Sequence, residues 1–327
     1  MIYYYCPDTN DPSGGIRKIY THVDILNKNG LSASVLHATK GFRCTWFENS
    51  SKVCYLTRTD IADTDYVVVP EFFNLCYMNK KRRDPGSKAF QELYARTSKM
   101  VIFNQGTYIT FNGNSFDPSE LSNIHRDEKT LAALVVSEDG ERFLKYAFPE
   151  LKLFRVHNSI NTNLFFPGTV KKKQICFMPR RNREYALNVI NILKSRGILK
   201  EFNILAIENM TERQTAAIMS ESLIFLSFGF PEGFSMPPAE AMAGGCVVIG
   251  YHGMGGREYF HPDFCFPIET GNILDFVFTV EKVIRTLDDN PAMLKDMALK
   301  GSSYIRKNYP IEREEEDVLN CWKSLTA

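Results

Sequence analysis

The chain has 327 residues, 44% of them apolar and 24% charged, an ordinary balance for a globular protein of about two domains. Its net charge of +1 argues against bulk binding to nucleic acid. The eight cysteines are scattered with no C-x-x-C pair, which argues against a zinc ribbon or redox motif and suits reduced, buried thiols.

The N-terminus, Met1-Ile2-Tyr3-Tyr4-Tyr5-Cys6-Pro7, lacks the basic region and apolar core of a signal peptide, so a cytoplasmic location is expected. No apolar run approaches the ~20 residues of a membrane span. Residues 2–6 read as a strand and 7–15 as a loop rich in turn formers. Ile16, Ile19, Tyr20, Val23 and Leu26 recur at helical spacing, Gly30 closes that helix, and 34–37 read as the next strand. This is a βαβ unit, which implies a parallel sheet. Residues 66–69 and 100–103 are further buried strands. Residues 129–137 read as a helix entering or flanking a strand near 133–136, and 153–156 follow as a strand.

At 158–173 the chain turns polar, with Pro167-Gly168 and three lysines, Lys171 to Lys173, that read as a solvated linker. The first domain is therefore set at 1–165 and the second at 166–310. Within the second, 174–178 and 202–207 read as strands and 185–196 as a helix. Thr211-Glu212-Arg213-Gln214 fits a capping box. Residues 311–325 read as a charged final helix.

The most informative stretch is Pro231-Glu232-Gly233-Phe234-Ser235-Met236-Pro237-Pro238-Ala239-Glu240-Ala241-Met242-Ala243-Gly244-Gly245, between the apolar runs 223–228 and 246–249. Pro237 and Pro238 suit a first helical turn, and Gly244-Gly245 a left-handed helix end. The unit reads strand, loop, helix, strand, with its loop at the carboxyl end of a buried parallel strand, where an anion such as a diphosphate is favoured. Two carboxylates beside an anion make sense if they accept hydrogen bonds from hydroxyls flanking the phosphates, as a nucleotide-sugar provides. Taken singly, Glu240 reads as complementing a helix N-terminus and Glu232 as a solvated loop residue.

This segment resembles the E-x7-E region of retaining glycosyltransferases with the GT-B fold, in particular the family-4 group. It matches at Glu232, Gly233, Phe234, Pro237, Glu240, Ala241, Met242, Ala243, Gly245, Val248 and Ile249, with Ser235 for the usual Gly and Met236 for the usual Leu. Val156-His157-Asn158-Ser159-Ile160-Asn161-Thr162-Asn163-Leu164-Phe165 is similar to the family's passage before the linker. Met178-Pro179-Arg180 is similar to its strand-plus-arginine segment, and Gly14-Gly15 to its N-terminal glycine loop. The resemblance implies an α/β protein of two Rossmann-like domains facing across a cleft, with the 311–327 helix crossing back to the first.

It also implies roles. Glu240 would bond the ribose hydroxyls and Glu232 the sugar hydroxyls, while the backbone of Gly233, Phe234, Ser235 and Met236 meets sugar and phosphate. Arg180 would neutralise the diphosphate by charge-assisted hydrogen bonds, with Arg183 in the place of the family's lysine. Gly14 and Gly15 would approach donor phosphate or acceptor. Asn104 stands where relatives carry a histidine near the transferred sugar, and would serve only as a hydrogen-bonding group. The implied reaction is metal-independent retaining transfer from a nucleoside diphosphate sugar to a glycan, lipid-linked or other hydroxyl acceptor, with no further cofactor. Nucleotide-sugar epimerisation, or nucleotide-sugar binding without turnover, are the alternatives.

Other features stay open. Asp63-Thr64-Asp65 reads as a turn before a strand rather than as a metal-holding D-x-D. The apolar run Phe72 to Met78, followed by Lys80-Lys81-Arg82-Arg83, would suit peripheral contact with an anionic membrane, and equally a buried helix with a basic end.

Overall fold

The computed structural model describes every residue except 80, 82 and 83. The chain forms two compact units, Met1–His157 with Glu314–Ala327, and Asn158–Arg313. These divisions fall at the start of the polar passage and just inside the last helix, rather than at 165/166 and 310/311.

Unit 1 carries seven strands, β1 (Ile2–Tyr5), β2 (Ala33–His37), β3 (Val53–Tyr55), β4 (Tyr66–Pro70), β5 (Lys99–Asn104), β6 (Thr130–Val135) and β7 (Leu153–Arg155). All pair in parallel in the order β3-β2-β1-β4-β5-β6-β7. The central strands are buried, which is why they read as unbroken apolar runs such as Val67-Val68-Val69. Helices α1 (Gly14–Lys28), α2 (Asn74–Met78), α3 (Pro85–Arg96) and α4 (Glu138–Ala147) occupy the crossovers. Of the helix expected over 129–137 beside a strand near 133–136, only the strand forms, as β6 (Thr130–Val135). Its apolar residues fit either period, and Ser137 decides the boundary by capping α4, its hydroxyl accepting Gly140 N–H at 3.1 Å.

Unit 2 carries β8 (Lys172–Phe177), β9 (Asn203–Ala206), β10 (Ser222–Ser227), β11 (Val247–Gly250) and β12 (Phe266–Pro267), all parallel in the order β12-β11-β10-β8-β9. Around them lie α5 (Arg183–Ser195), α6 (Glu212–Glu221), α7 (Met236–Ala243), α8 (Ile273–Asp289) and α9 (Pro291–Asn308). The capping box at Thr211 and Gln214 opens α6. Lys171 is not a solvated linker residue. Its ammonium donates to the carbonyls of Gly244 at 2.6 Å and Met219 at 3.2 Å, placing a cation at the C-terminal end of α7.

The last helix, α10 (Ile311–Thr326), belongs to unit 1 from Glu314 onward. Trp322 is fully buried; its indole donates to Tyr4 Oη at 3.2 Å and meets Tyr66 edge-on. Glu314, also fully buried, accepts Lys18 Nζ at 2.6 Å and lies 3.4 Å from His22 Nε2. Burial would raise the Glu314 carboxyl, but the charge of Lys18, with His22, holds it at about 2. Its stabilising contribution is therefore complete above the ordinary value of 4.5 and is lost as pH falls through about 2. Removing one partner of a buried ion pair strands the other. We expect Glu314→Ala to cost about 3–5 kcal/mol of unit 1 stability, read by urea unfolding on tryptophan fluorescence, and to flatten the loss of stability between about pH 4.5 and pH 2.

Candidate active site

In a parallel sheet the crevice between carboxyl ends opens where the strand order reverses. In unit 2 that point lies between β8 and β10. Two loops meet there, and Asn182 joins them. Asn182 is left-handed (φ +54°) at the start of α5 and does not cap that helix with its side chain. Its Nδ2 instead donates to the carbonyls of Phe228 at 2.8 Å and Phe230 at 2.9 Å, on the far loop.

This tie brings Arg181 Nε to 3.1 Å from Glu232 Oε1. Burial raises the Glu232 carboxyl, opposed by the charges of Arg181 and then Arg180. Arg180 and Arg181 are both exposed, so a ligand can reach their guanidinia. Arg183, expected at the diphosphate, instead begins α5 and pairs with Glu208 at 2.9 Å on the exposed side. Arg181, in the same cluster, holds the place beside Glu232. Sequence spacing alone could not separate the two, because the choice depends on the left-handed turn at Asn182.

The glutamate loop is fixed by backbone contacts. Glu232 N–H donates to Gly253 O at 2.7 Å, and Gly255 N–H to Glu232 O at 3.1 Å. A Cβ on Gly255 would fall 1.7 Å from Gly233 O, so only glycine lets these strands of chain touch. Ser235 is left-handed (φ +62°), and its carbonyl accepts the hydroxyl of buried Tyr259. Phe234 packs between Tyr259 and Tyr309. Met236 and the two prolines then form the first turn of α7, one turn before Glu240, which is 7% exposed. Glu232, Gly233, Phe234, Ser235, Met236, Glu240 and Arg180 thus lie on the two loop–helix segments that flank one reversal point.

Unit 1 reverses between β1 and β4. Gly14 and Gly15 open α1 there, directly after the β1 loop. Gln105, just past β5, donates from Nε2 to Gly15 O at 3.2 Å. Asn104, expected to orient a sugar, is 1% exposed and turned inward. Its Nδ2 donates to Thr110 Oγ1 at 3.1 Å and faces His125 Nε2 at 3.2 Å. Burial drives His125 down to about 3, so the ring is neutral and its Nε2 accepts that bond. Glu71, which carries no sequence signature, lies beside Gln105 and is 3% exposed.

Asp63 accepts from Ser98 Oγ at 2.6 Å, and Asp65 from the terminal ammonium at 2.9 Å and Ala62 N–H at 2.9 Å, as the turn reading expects. Among the described residues no group of three His, Cys, Asp or Glu side chains is arranged to hold a metal ion, and no helix is long and apolar enough to cross a membrane. Phe73 and Cys76 are buried and Phe72 is exposed. Of the basic run after them, Lys80, Arg82 and Arg83 lie outside the described residues.

No family model matches the sequence. Over 258 residues it is 28% identical to an alpha-1,6-glucosyltransferase of Actinobacillus pleuropneumoniae serotype 7 (strain AP76), covering 76% of this chain and 72% of that protein. Among solved structures, sucrose-phosphate synthase from Thermosynechococcus elongatus superposes with a TM-score of 0.70 at 10% identity, covering 99% of this chain and 98% of that one. Anabaena Alr3699/HepE, solved with UDP and glucose, superposes with a TM-score of 0.67 at 11% identity over 99% of both chains. The chain thus has the GT-B fold, two parallel-sheet α/β units, and its sequence likeness is to a glycosyltransferase.

Proposed function

We propose that this chain is a retaining glycosyltransferase of the family-4 kind, moving a hexose from a nucleoside diphosphate sugar to a hydroxyl of a glycan or lipid-linked acceptor without a metal. The observation that carries the reading is the grouping of Arg180, Arg181, Glu232 and Glu240 around the reversal point of unit 2. The likeness to an alpha-1,6-glucosyltransferase supports it, as does the UDP and glucose held by a protein of the same fold.

Two exposed guanidinia match the charge of a diphosphate and supply fixed, charge-assisted donors. Arg181 is held meanwhile by Glu232. A phosphate that takes over Arg181 would release that carboxylate to accept the hydroxyls of the sugar. Glu240 bonds the ribose, and the loop from Gly233 to Met236 lies along sugar and phosphate. In the reaction the bond from the anomeric carbon to the phosphate oxygen breaks. The acceptor oxygen bonds that carbon on the same face, and its proton passes to the leaving phosphate oxygen. The arginines stabilise the charge gathering there.

Two measurements test this. In calorimetric titration with UDP, Arg181→Ala and Glu240→Ala should each weaken binding about tenfold or more, as loss of a hydrogen bond to a charged group costs about 1.5–3 kcal/mol. Arg183→Ala should bind within about twofold of wild type. Wild-type affinity in both site variants would refute the assignment. With UDP-glucose as donor, the anomeric proton coupling of the product should report an α linkage, and a β product would refute retention.

A further inference from the structure

At the reversal point of unit 1, Glu71 forms a buried anchor that none of the roles above uses. It follows β4 directly, and its Oε2 accepts Gln105 N–H at 3.0 Å. The backbone N–H groups of Glu71 itself and of Gly106 also favour the ionised carboxyl. The fit is close, since a Cβ on Gly106 would lie 2.8 Å from Glu71 Oε1. Gln105, oriented through its backbone by Glu71, reaches across to Gly15 O, and its side-chain amide lies 3.3 Å from where a Gly15 Cβ would sit. Three segments from the ends of adjacent strands β1, β4 and β5 are thereby locked together by one carboxylate and one amide.

We propose that Glu71 is a positioning residue for the acceptor, which acts through Gln105 to set a subsite on Gly14, Gly15 and Gly106 for an uncharged saccharide; this rests on the transferase reading above. Glu71 does not touch the acceptor. Gln105 and Gly106 are half-buried at the rim, and offer an amide and backbone groups, a surface suited to hydroxyls. An ionised carboxylate beneath them would repel an anionic acceptor. Burial pushes the Glu71 carboxyl up to about 7, against the pull of the N–H groups of Gln105, Glu71 and Gly106. No charged side chain from β4, β5 or α2 contributes to that shift. The ionised form, which accepts Gln105 N–H and is favoured by the other two N–H groups, prevails as pH rises through about 7, so acceptor binding should tighten over that range.

The test uses the full chain, UDP-glucose, and maltose, lactose and methyl α-glucoside as acceptors, with UDP release as the readout. UDP-induced thermal shift serves as a separate probe of the donor side. Wild type should show saccharide-stimulated release, with an acceptor KM that falls from about pH 6 to about pH 8. Glu71→Gln should raise that KM about tenfold, leave kcat within about twofold, and abolish the pH dependence. Gln105→Ala, which keeps the backbone N–H and is the deciding variant should Glu71→Gln not fold, should raise KM several-fold and retain the pH dependence. The UDP shift should be unchanged in both. An unaltered KM in the variants overturns the proposal, as does a wild type that binds UDP yet is stimulated by no saccharide. A wild type without any UDP shift would instead sink the transferase reading.

Discussion

Every strand of both sheets runs parallel, and that constraint organises the rest of the molecule. A parallel neighbour can be reached only by a crossover, so all loops that leave carboxyl ends gather along one edge of each sheet. Where successive crossovers change direction, two such loops part, and the gap is floored by strand ends rather than filled by a helix. Unit 1 has this gap between β1 and β4, and unit 2 between β8 and β10. Each gap is lined by glycines, by acidic side chains (Glu71 in unit 1, Glu232 and Glu240 in unit 2), and by a side-chain amide that bridges neighbouring loops. In unit 2 the amide is Asn182, and in unit 1 it is Gln105.

The chain order explains why α10 needs a strong anchor. Unit 1 is discontinuous, and its last 14 residues, Glu314–Ala327, return after the whole of unit 2. Holding such a segment requires contacts that outweigh the chain entropy of the long excursion. Trp322 supplies burial, and the Lys18–Glu314 pair supplies register, since a slip of one residue would leave two charges stranded in the interior. Tyr66 Oη donating to Leu325 O at 2.7 Å and His157 bonding Asp317 at 2.7 Å fasten the remaining turns.

How much of this was legible in the sequence follows from how local each feature is. The loop from Glu232 to Glu240 was readable because its constraints lie within one short segment: glycine after a strand, prolines in a first helical turn, a left-handed glycine at residue 245 (φ +72°). The choice between Arg181 and Arg183 was not, because it turns on the backbone of Asn182 and on carbonyls some 46 and 48 positions away. The helix over 129–137 does not form: Leu131-Ala132-Ala133-Leu134-Val135 satisfies both periods, and pairing with β5 and β7 makes the whole stretch strand. Lys171 looked like linker for want of any sign that two carbonyls waited for it. Glu71 gave no signal at all: a glutamate after a strand is commonplace, and its partners come from another strand's end.

Glu71 and Glu232 show two solutions to one problem, an acidic side chain withdrawn from water at a strand end. Glu232 is matched by the exposed cations Arg181 and Arg180, which an incoming phosphate would be able to claim under the proposed function. Glu71 is matched by backbone N–H groups, which nothing can claim without unravelling the turn. The first arrangement suits a group that must change partners during binding. The second suits a group whose task is to keep a surface in one shape, and whose hold on that shape varies only with its own proton. A carboxylate paired with side chains is therefore placed where the donor is expected, and one paired with backbone where the acceptor is expected. That division follows from which partners can move.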